Sequence, residues 1–283
     1  MIRLNEGRFP DAFAHETTVL NHLPREIPHP VAVACGKRKS VGEFLIVERL
    51  AGENLDHAWP RLSVTNRGRV VRELGRILLS LHELPVAGWM RNSWVSAALM
   101  TGKWRDAYHA PPEHFPHLIA SAAVERPDLR RLLHSVSDFM TARLHAFDDN
   151  EPNIFVHTDL HFRNVIVDAG HVTSLIDFEG SRLGQRDIEL DMLLRSIAPD
   201  DGGAASRYPG TIATLRFAYP ELFSHPSLVT RLEVYEALWH LVQLHHWRAG
   251  HTWTSDPAGP LMLLTTGAFR ERVAMMLDEG IAP

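Results

Sequence analysis

Three oxygen-bearing side chains, Asp159, Asn164 and Asp177, fall within the stretch HTDLHFRNVIVDAGHVTSLIDFEG, residues 157–180. A carboxylate to accept a proton from a hydroxyl, with an amide oxygen and a second carboxylate to hold a hard divalent cation, is the minimum apparatus for phosphoryl transfer from a nucleotide. Asp159, Asn164 and Asp177 are of the types that this apparatus needs. The runs VIVD (165–168) and VTSLID (172–177) are short, apolar or β-branched, and joined by Ala-Gly. That pattern predicts a hairpin whose open end brings Asp177 back beside the HTDLHFRN loop.

The surrounding elements follow from periodicity. Residues 2–4 read as the end of a strand, and residues 11–23 as a helix on the spacing of Phe13, Thr17, Leu20 and Leu23, with Glu16 assigned to a different face. VAVAC (31–35) and EFLIVERL (43–50) form a second expected hairpin around the basic GKRKS turn. From residue 51 the pattern turns helical. Helices are predicted over 65–84, 93–106, 114–124, from Pro127 to Phe147, over IELDMLLRSI, and near 206–218, 227–248 and 263–278, with GSRLGQRD between Asp177 and IELDML read as a loop. The composition shift places a domain boundary at residues 51/52: a small unit over 1–51 and a large, mainly helical unit over 52–283.

Composition narrows the partners. The net charge is -5 with 29 Lys plus Arg, which supplies no electrostatic footprint for nucleic acid or an anionic membrane. No apolar run approaches 18 residues and no charged-then-apolar leader opens the chain, so a soluble cytoplasmic protein is expected. The single Cys35 excludes an intrachain disulfide and reads as a small buried residue. The 18 histidines are scattered without zinc-type spacing.

HTDLHFRNVIVD followed by IDFEG resembles the catalytic and metal-binding motifs of the aminoglycoside phosphotransferase and choline kinase-like family, small-molecule relatives of the protein kinases. The resemblance implies an α+β, protein kinase-like fold with two lobes. It assigns Asp159 as the catalytic aspartate, Asn164 and Asp177 as magnesium ligands, and His157 as a brace for the loop. Glu48-Arg49-Leu50-Ala51-Gly52 resembles the hinge whose backbone meets the nucleotide base, so Glu48 and Leu50 join the cofactor-binding set. Leu78 to His82 is similar to the family's LxxLH helix end, and GQRDIEL to its GDPxxDL, with Arg186 for proline and Glu189 for aspartate.

Glu16 falls where the family's helix glutamate pairs with a strand lysine, and Arg3 is the basic residue near that lysine position. The match departs at Thr158, which stands for the usual glycine, and at Arg3, whose planar fork is not a compact ammonium. A glycine-rich phosphate loop has no counterpart ahead of Arg3, so the N-terminal lobe is expected to be reduced.

His161, Glu179, Asp187 and Trp247 complete the candidate residues, as contacts for substrate or braces for the loop; Asp187 alternatively starts the helix at IELDML. Acids Asp187, Glu189 and Asp191, with aromatics including Trp239, Trp247 and Trp253, suit a polar, amino-bearing small molecule. The expected activity is Mg2+-dependent transfer of the γ-phosphoryl group of ATP or GTP to a hydroxyl of an aminoglycoside, another antibiotic or a metabolite. The competing expectation is a kinase-like binding or regulatory protein that has lost turnover. A homodimer covering the cleft stays open as a further partner.

Overall fold

The computed structural model describes residues 1–5, 11–39, 42–91, 119–120, 126–148, 151–197, 207–246 and 258–278. The chain divides into two compact units, each built from separate stretches of sequence. The first comprises Met1–Trp94, Pro152–Ser224 and Glu279–Pro283, and the second Val95–Glu151 and His225–Asp278.

In the first unit, strand β1 (Ile2–Asn5) pairs antiparallel with β3 (Gly42–Val47), which also pairs with β2 (Ala32–Arg38). Alternation sets the faces: Glu43, Leu45 and Val47 are buried, whereas Phe44 and Ile46 are only half-buried. Arg3 lies opposite Leu45 in the register, so its side chain shares the buried face, toward helix α1 (Ala12–His22). Phe13, Glu16 and Leu20 are all buried on that helix, so Glu16 does not lie on the different face that the periodicity suggested. Residues 13 and 16 are one short turn apart, about 60° around the axis, and share a face.

The expected 165–177 hairpin is present as β6 (Val165–Asp168) and β7 (His171–Leu175). Its turn residues, Ala169 and Gly170, both have positive φ (48° and 78°), the geometry that a two-residue hairpin turn needs. Strand β4 (Glu53–Asn54) adds to the other edge of β6. Two further strands form an antiparallel pair: β8 (Arg182–Gly184), within the GSRLGQRD segment read as a loop, and β5 (Ile154–Val156), which the sequence did not signal. At three residues each they are too short to display an alternation. This unit also holds helices α2 (Leu55–Ala58), α3 (Val64–His82), α4 (Ile188–Ile197) and α5 (Thr211–Ala218). Ser63 caps α3, its hydroxyl accepting from the Asn66 N–H.

In the second unit the long helix expected from Pro127 is interrupted. Helix α6 spans Arg130–Thr141, and a separate 3-10 turn follows at Leu144–Phe147. Helix α7 (Leu228–His246) carries a fully buried Arg231, whose Nε donates to the Ala146 carbonyl (2.7 Å) and whose Nη1 donates to Glu151 (2.8 Å). The helix expected over 263–278 is two: α8 (Ala258–Thr265) and α9 (Ala268–Asp278), separated at Gly267 with φ 85°. The helix expected over 93–106, most of the one over 114–124, and Trp247 and Trp253 lie outside the described residues.

Candidate active site

Asp159 follows β5 in an irregular loop that ends in a 3-10 turn, Phe162–Asn164, and runs directly into β6. Asn164 is the pivot. Its Nδ2 donates both to the Asp159 carbonyl (2.9 Å) and to the Asp159 Oδ2 (3.0 Å), closing the loop on itself. With the amide nitrogen so committed, the orientation of the side chain leaves Oδ1 as its acceptor. The Ile176 N–H donates to the Asn164 carbonyl (3.0 Å), which sets the residue before Asp177 beside the loop.

His157 is fully buried and braces this arrangement. Its Nε2 lies 2.9 Å from the Ile176 carbonyl, and its Nδ1 accepts from the Asp159 N–H (3.3 Å). With Nδ1 accepting, Nε2 is the nitrogen that donates to the Ile176 carbonyl. Behind it, Glu189 is also fully buried and accepts from the His157 backbone N–H, while His82 Nε2 stands 3.6 Å from the same carboxylate oxygen. His82 Nδ1 in turn lies 2.7 Å from the Tyr219 hydroxyl. Phe162 packs under the loop against Trp59 and Tyr208, with ring centroids 5.2 and 4.6 Å away.

Asp159 has 35% of its side chain exposed, yet its carboxyl is pushed up to about 7. The crowding of protein around it is the largest cause; Asp177, Glu179 and Glu189 add repulsion, and the Asn164 hydrogen bond opposes them. His161 Nε2 is 3.6 Å from Asp159 Oδ1, but burial, with repulsion from Arg163, lowers the imidazole to about 4. The pair is therefore a neutral ring beside an acid at pH 7, and His161 Nδ1 is buried without a hydrogen-bond partner.

Arg3 gathers the acids of the opposite wall. Its Nη1 donates to Glu16 (2.5 Å), and its Nη2 to Asp177 (2.7 Å) and Glu179 (3.2 Å); the guanidinium carbon lies 4.9 Å from the Phe13 ring centre. Burial alone would lower the Arg3 pKa, and the three carboxylates more than offset it, so the guanidinium is raised. Burial pushes the Glu16 carboxyl up to about 8 against the pull of Arg3. Glu16 also accepts from the Phe178 N–H (3.3 Å), fastening the segment after Asp177 to α1.

Ligand oxygens of Glu16, Asp177 and Glu179 lie within 4.8 Å of one another, a donor set that suits a hard cation. Asp177 has φ 71°, a left-handed conformation that aspartate tolerates better than most residues. The remaining candidates have these positions. Glu48 is exposed, its Oε1 accepting from the Val31 N–H (3.0 Å), and Leu50 is half-buried. Asp187 is fully buried, and its carbonyl accepts from the Leu190 and Asp191 N–H groups at the start of α4 (3.1 and 3.2 Å). Asp191 carries Arg195 at 2.7 Å.

Sequence reasoning did not find the Trp59–Phe162–Tyr208 support or the His82–Glu189 contact. An aromatic placed immediately after His161, and an acid at the sixth position of GQRDIEL, were the available signals.

Known proteins share the family signature and the fold of this chain. The signature of the phosphotransferase enzyme family matches residues 2–222. The ADP-bound structure of aminoglycoside phosphotransferase APH(2'')-Ib is 14% identical with a TM-score of 0.61, covering 95% of this chain and 87% of that one. The streptomycin–ATP ternary complex of APH(2")-IIa gives 12% identity and a TM-score of 0.60, over 96% and 86% of the two chains. The GDP complex of aminoglycoside 2'-phosphotransferase-IIIa gives 16% and 0.60, over 93% and 83%. No curated protein sequence matches the chain. At these identities the structures establish a shared fold, the two-lobed α+β architecture of the kinase-like phosphotransferases. With four-fifths of its length inside the family signature, the chain belongs to the phosphotransferase enzyme family.

Proposed function

We propose that the protein transfers the γ-phosphoryl group of ATP or GTP to a hydroxyl of a small polar molecule, with Asp159 as the base. The observation that carries this reading is the Asn164 side chain, which holds the Asp159 carboxylate through Nδ2 and keeps an oxygen for a cation. Asn164 and Asp177 would hold Mg2+, which when bound neutralises charge on the phosphates. Asp159 orients the acceptor hydroxyl and takes its proton as the oxygen forms its bond to the γ-phosphorus. The bond to the bridging oxygen breaks and the nucleoside diphosphate leaves. A carboxyl poised at about 7 is well matched to that exchange. His161, neutral and with Nδ1 unpartnered, would contact substrate or phosphate.

The lobe boundary near residue 51, a hinge at Glu48 to Gly52 for the base, and acceptors such as aminoglycosides, other antibiotics or metabolites belong to the same proposal. The aminoglycoside enzymes with this fold support it. No helix among the described residues is long and apolar enough to cross a membrane. The competing reading, a binding or regulatory protein without efficient transfer, draws on Arg3, whose guanidinium already occupies Asp177 and Glu179.

Calorimetry with Mg2+ and ATP or GTP, followed by turnover against a panel of hydroxylated compounds, separates the two. Asp159→Ala should abolish product while retaining the fold and nucleotide binding, and Asp177→Ala should lose the Mg2+-dependent part of nucleotide binding. Unchanged turnover in Asp159→Ala would falsify the role of the base. Nucleotide binding without turnover across the panel favours the regulatory reading.

A further inference from the structure

Thr158 occupies the position immediately before Asp159, with φ 68° and no exposed surface. A β-branched residue in the left-handed region is costly, and such a conformation persists only where its surroundings over-determine it. Here the side chain has one specific task. Its Oγ1 donates to the Gly180 carbonyl at 2.9 Å, across 22 residues of sequence. Its neighbour His157 meets the Ile176 carbonyl at 2.9 Å. Two consecutive residues of the catalytic loop thus hold the backbone at residues 176 and 180, on either side of the segment 177–179 that carries Asp177 and Glu179.

We propose that Thr158 is a positioning residue that replaces conformational freedom with a hydroxyl bridge, fixing the Asp177–Glu179 segment relative to Asp159. Without the bridge, that segment keeps its tie to the loop at Ile176, its ties to Arg3 and Glu16, and the β5–β8 pairing that follows it, but its Gly180 end loses the direct hydrogen bond to the residue before Asp159, and Asp177 itself adopts a left-handed conformation that no helix-capping bond from its own side chain stabilises. The distance between the base and the cation ligands then fluctuates. The inference rests on the phosphotransferase reading for its kinetic consequence, but the bridge itself is testable without it.

Thr158→Val retains shape, β-branching and backbone strain while deleting the hydroxyl, and Thr158→Ser retains the hydroxyl. Hydrogen exchange followed by mass spectrometry should show faster exchange in Val at both 157–164 and 177–182, with Ser resembling the wild type. In turnover, Val should lose about tenfold or more in kcat with KM for the nucleotide within about twofold, and Ser should stay within about threefold of wild type. Should Val not fold, Thr158→Gly carries neither strain nor hydroxyl and should show the same paired rise in exchange. Val and Ser alike in both measurements, or a rise confined to 157–164, overturns the proposal. If the wild type turns over no acceptor, the phosphotransferase reading fails and the exchange pattern alone decides the bridge.

Discussion

Gly52 offers the sharpest quantitative test of how the catalytic loop is supported. It has φ 90°, and a Cβ built there would lie 2.2 Å from the Val167 carbonyl oxygen, 2.8 Å from the Val167 carbonyl carbon and 3.0 Å from Asp168 Cβ. The obstacle is largely backbone of β6, the strand that continues from Asn164. In Gly52→Ala, the left-handed conformation costs about 1–2 kcal/mol. The Gly52 segment and β6 must also part by roughly 1 Å to restore an ordinary carbon–oxygen separation. Strand β4 is only two residues long, paired as Glu53 with Val167 and Asn54 with Ile166, and cannot absorb that shift by fraying at one end. Losing its ladder bonds adds about 1 kcal/mol each. The sum is a destabilisation of about 3–4 kcal/mol. Urea unfolding measures it, with Gly88→Ala as the control, because a Cβ at Gly88 meets nothing within 4 Å. A loss under about 1 kcal/mol for Gly52→Ala, or equal effects at the two glycines, refutes the reasoning.

Three further outcomes are expected. Arg231→Ala strips a fully buried guanidinium from Glu151 and the Ala146 carbonyl and should cost about 3–5 kcal/mol by urea unfolding, with no direct effect on the Asp159 chemistry. The Asp159 carboxyl, raised to about 7, should give a rate that climbs with pH toward and through that value, with a bound cation moving the midpoint lower. The same raised value means that the folded protein retains a proton that the unfolded chain releases near pH 4. The associated stability is therefore present below about pH 4 and is lost as pH rises through about 7. Asp159→Asn should flatten that part of a stability–pH profile measured without metal.

The sequence made the hairpin after Asn164 legible because both of its signals are local: two short apolar runs, and Ala-Gly in a turn that needs positive φ. The pairing of Arg3 with Glu16 was legible only by analogy, through the positions they fill, and geometry adds what analogy lacked. A lysine ammonium is a point charge, whereas the Arg3 fork reaches Glu16 with one nitrogen and Asp177 and Glu179 with the other. Glu16 was misplaced because only the helical stripe of apolar residues was used to choose a face, and a buried acid lies on that stripe when a buried cation meets it. Strands β5 and β8 were missed for a different reason: their three-residue lengths hold too little pattern, and their pairing is set by residues about thirty positions apart. Thr158 was noticed as a departure from glycine, but its hydrogen bond to Gly180 is a property of two loops meeting and has no sequence signature.

The separation between Arg3 and its partners has a consequence for how the protein is made. Asp177 and Glu179 leave the ribosome 174 and 176 residues after Arg3, and at roughly 5–20 residues per second that is an interval of about ten to thirty-five seconds. For that time the nascent chain exposes β1 and α1 with Glu16 held by Arg3 at most, and with nothing to close the other side. The stretch Val95–Glu151, belonging to the second unit, is also synthesised before the acids arrive. Co-translational assembly of this half of the site therefore has to wait for the hairpin β6–β7 to emerge, and slowing translation between residues 95 and 177 should lengthen the period in which the N-terminal segment is open to proteases and chaperones.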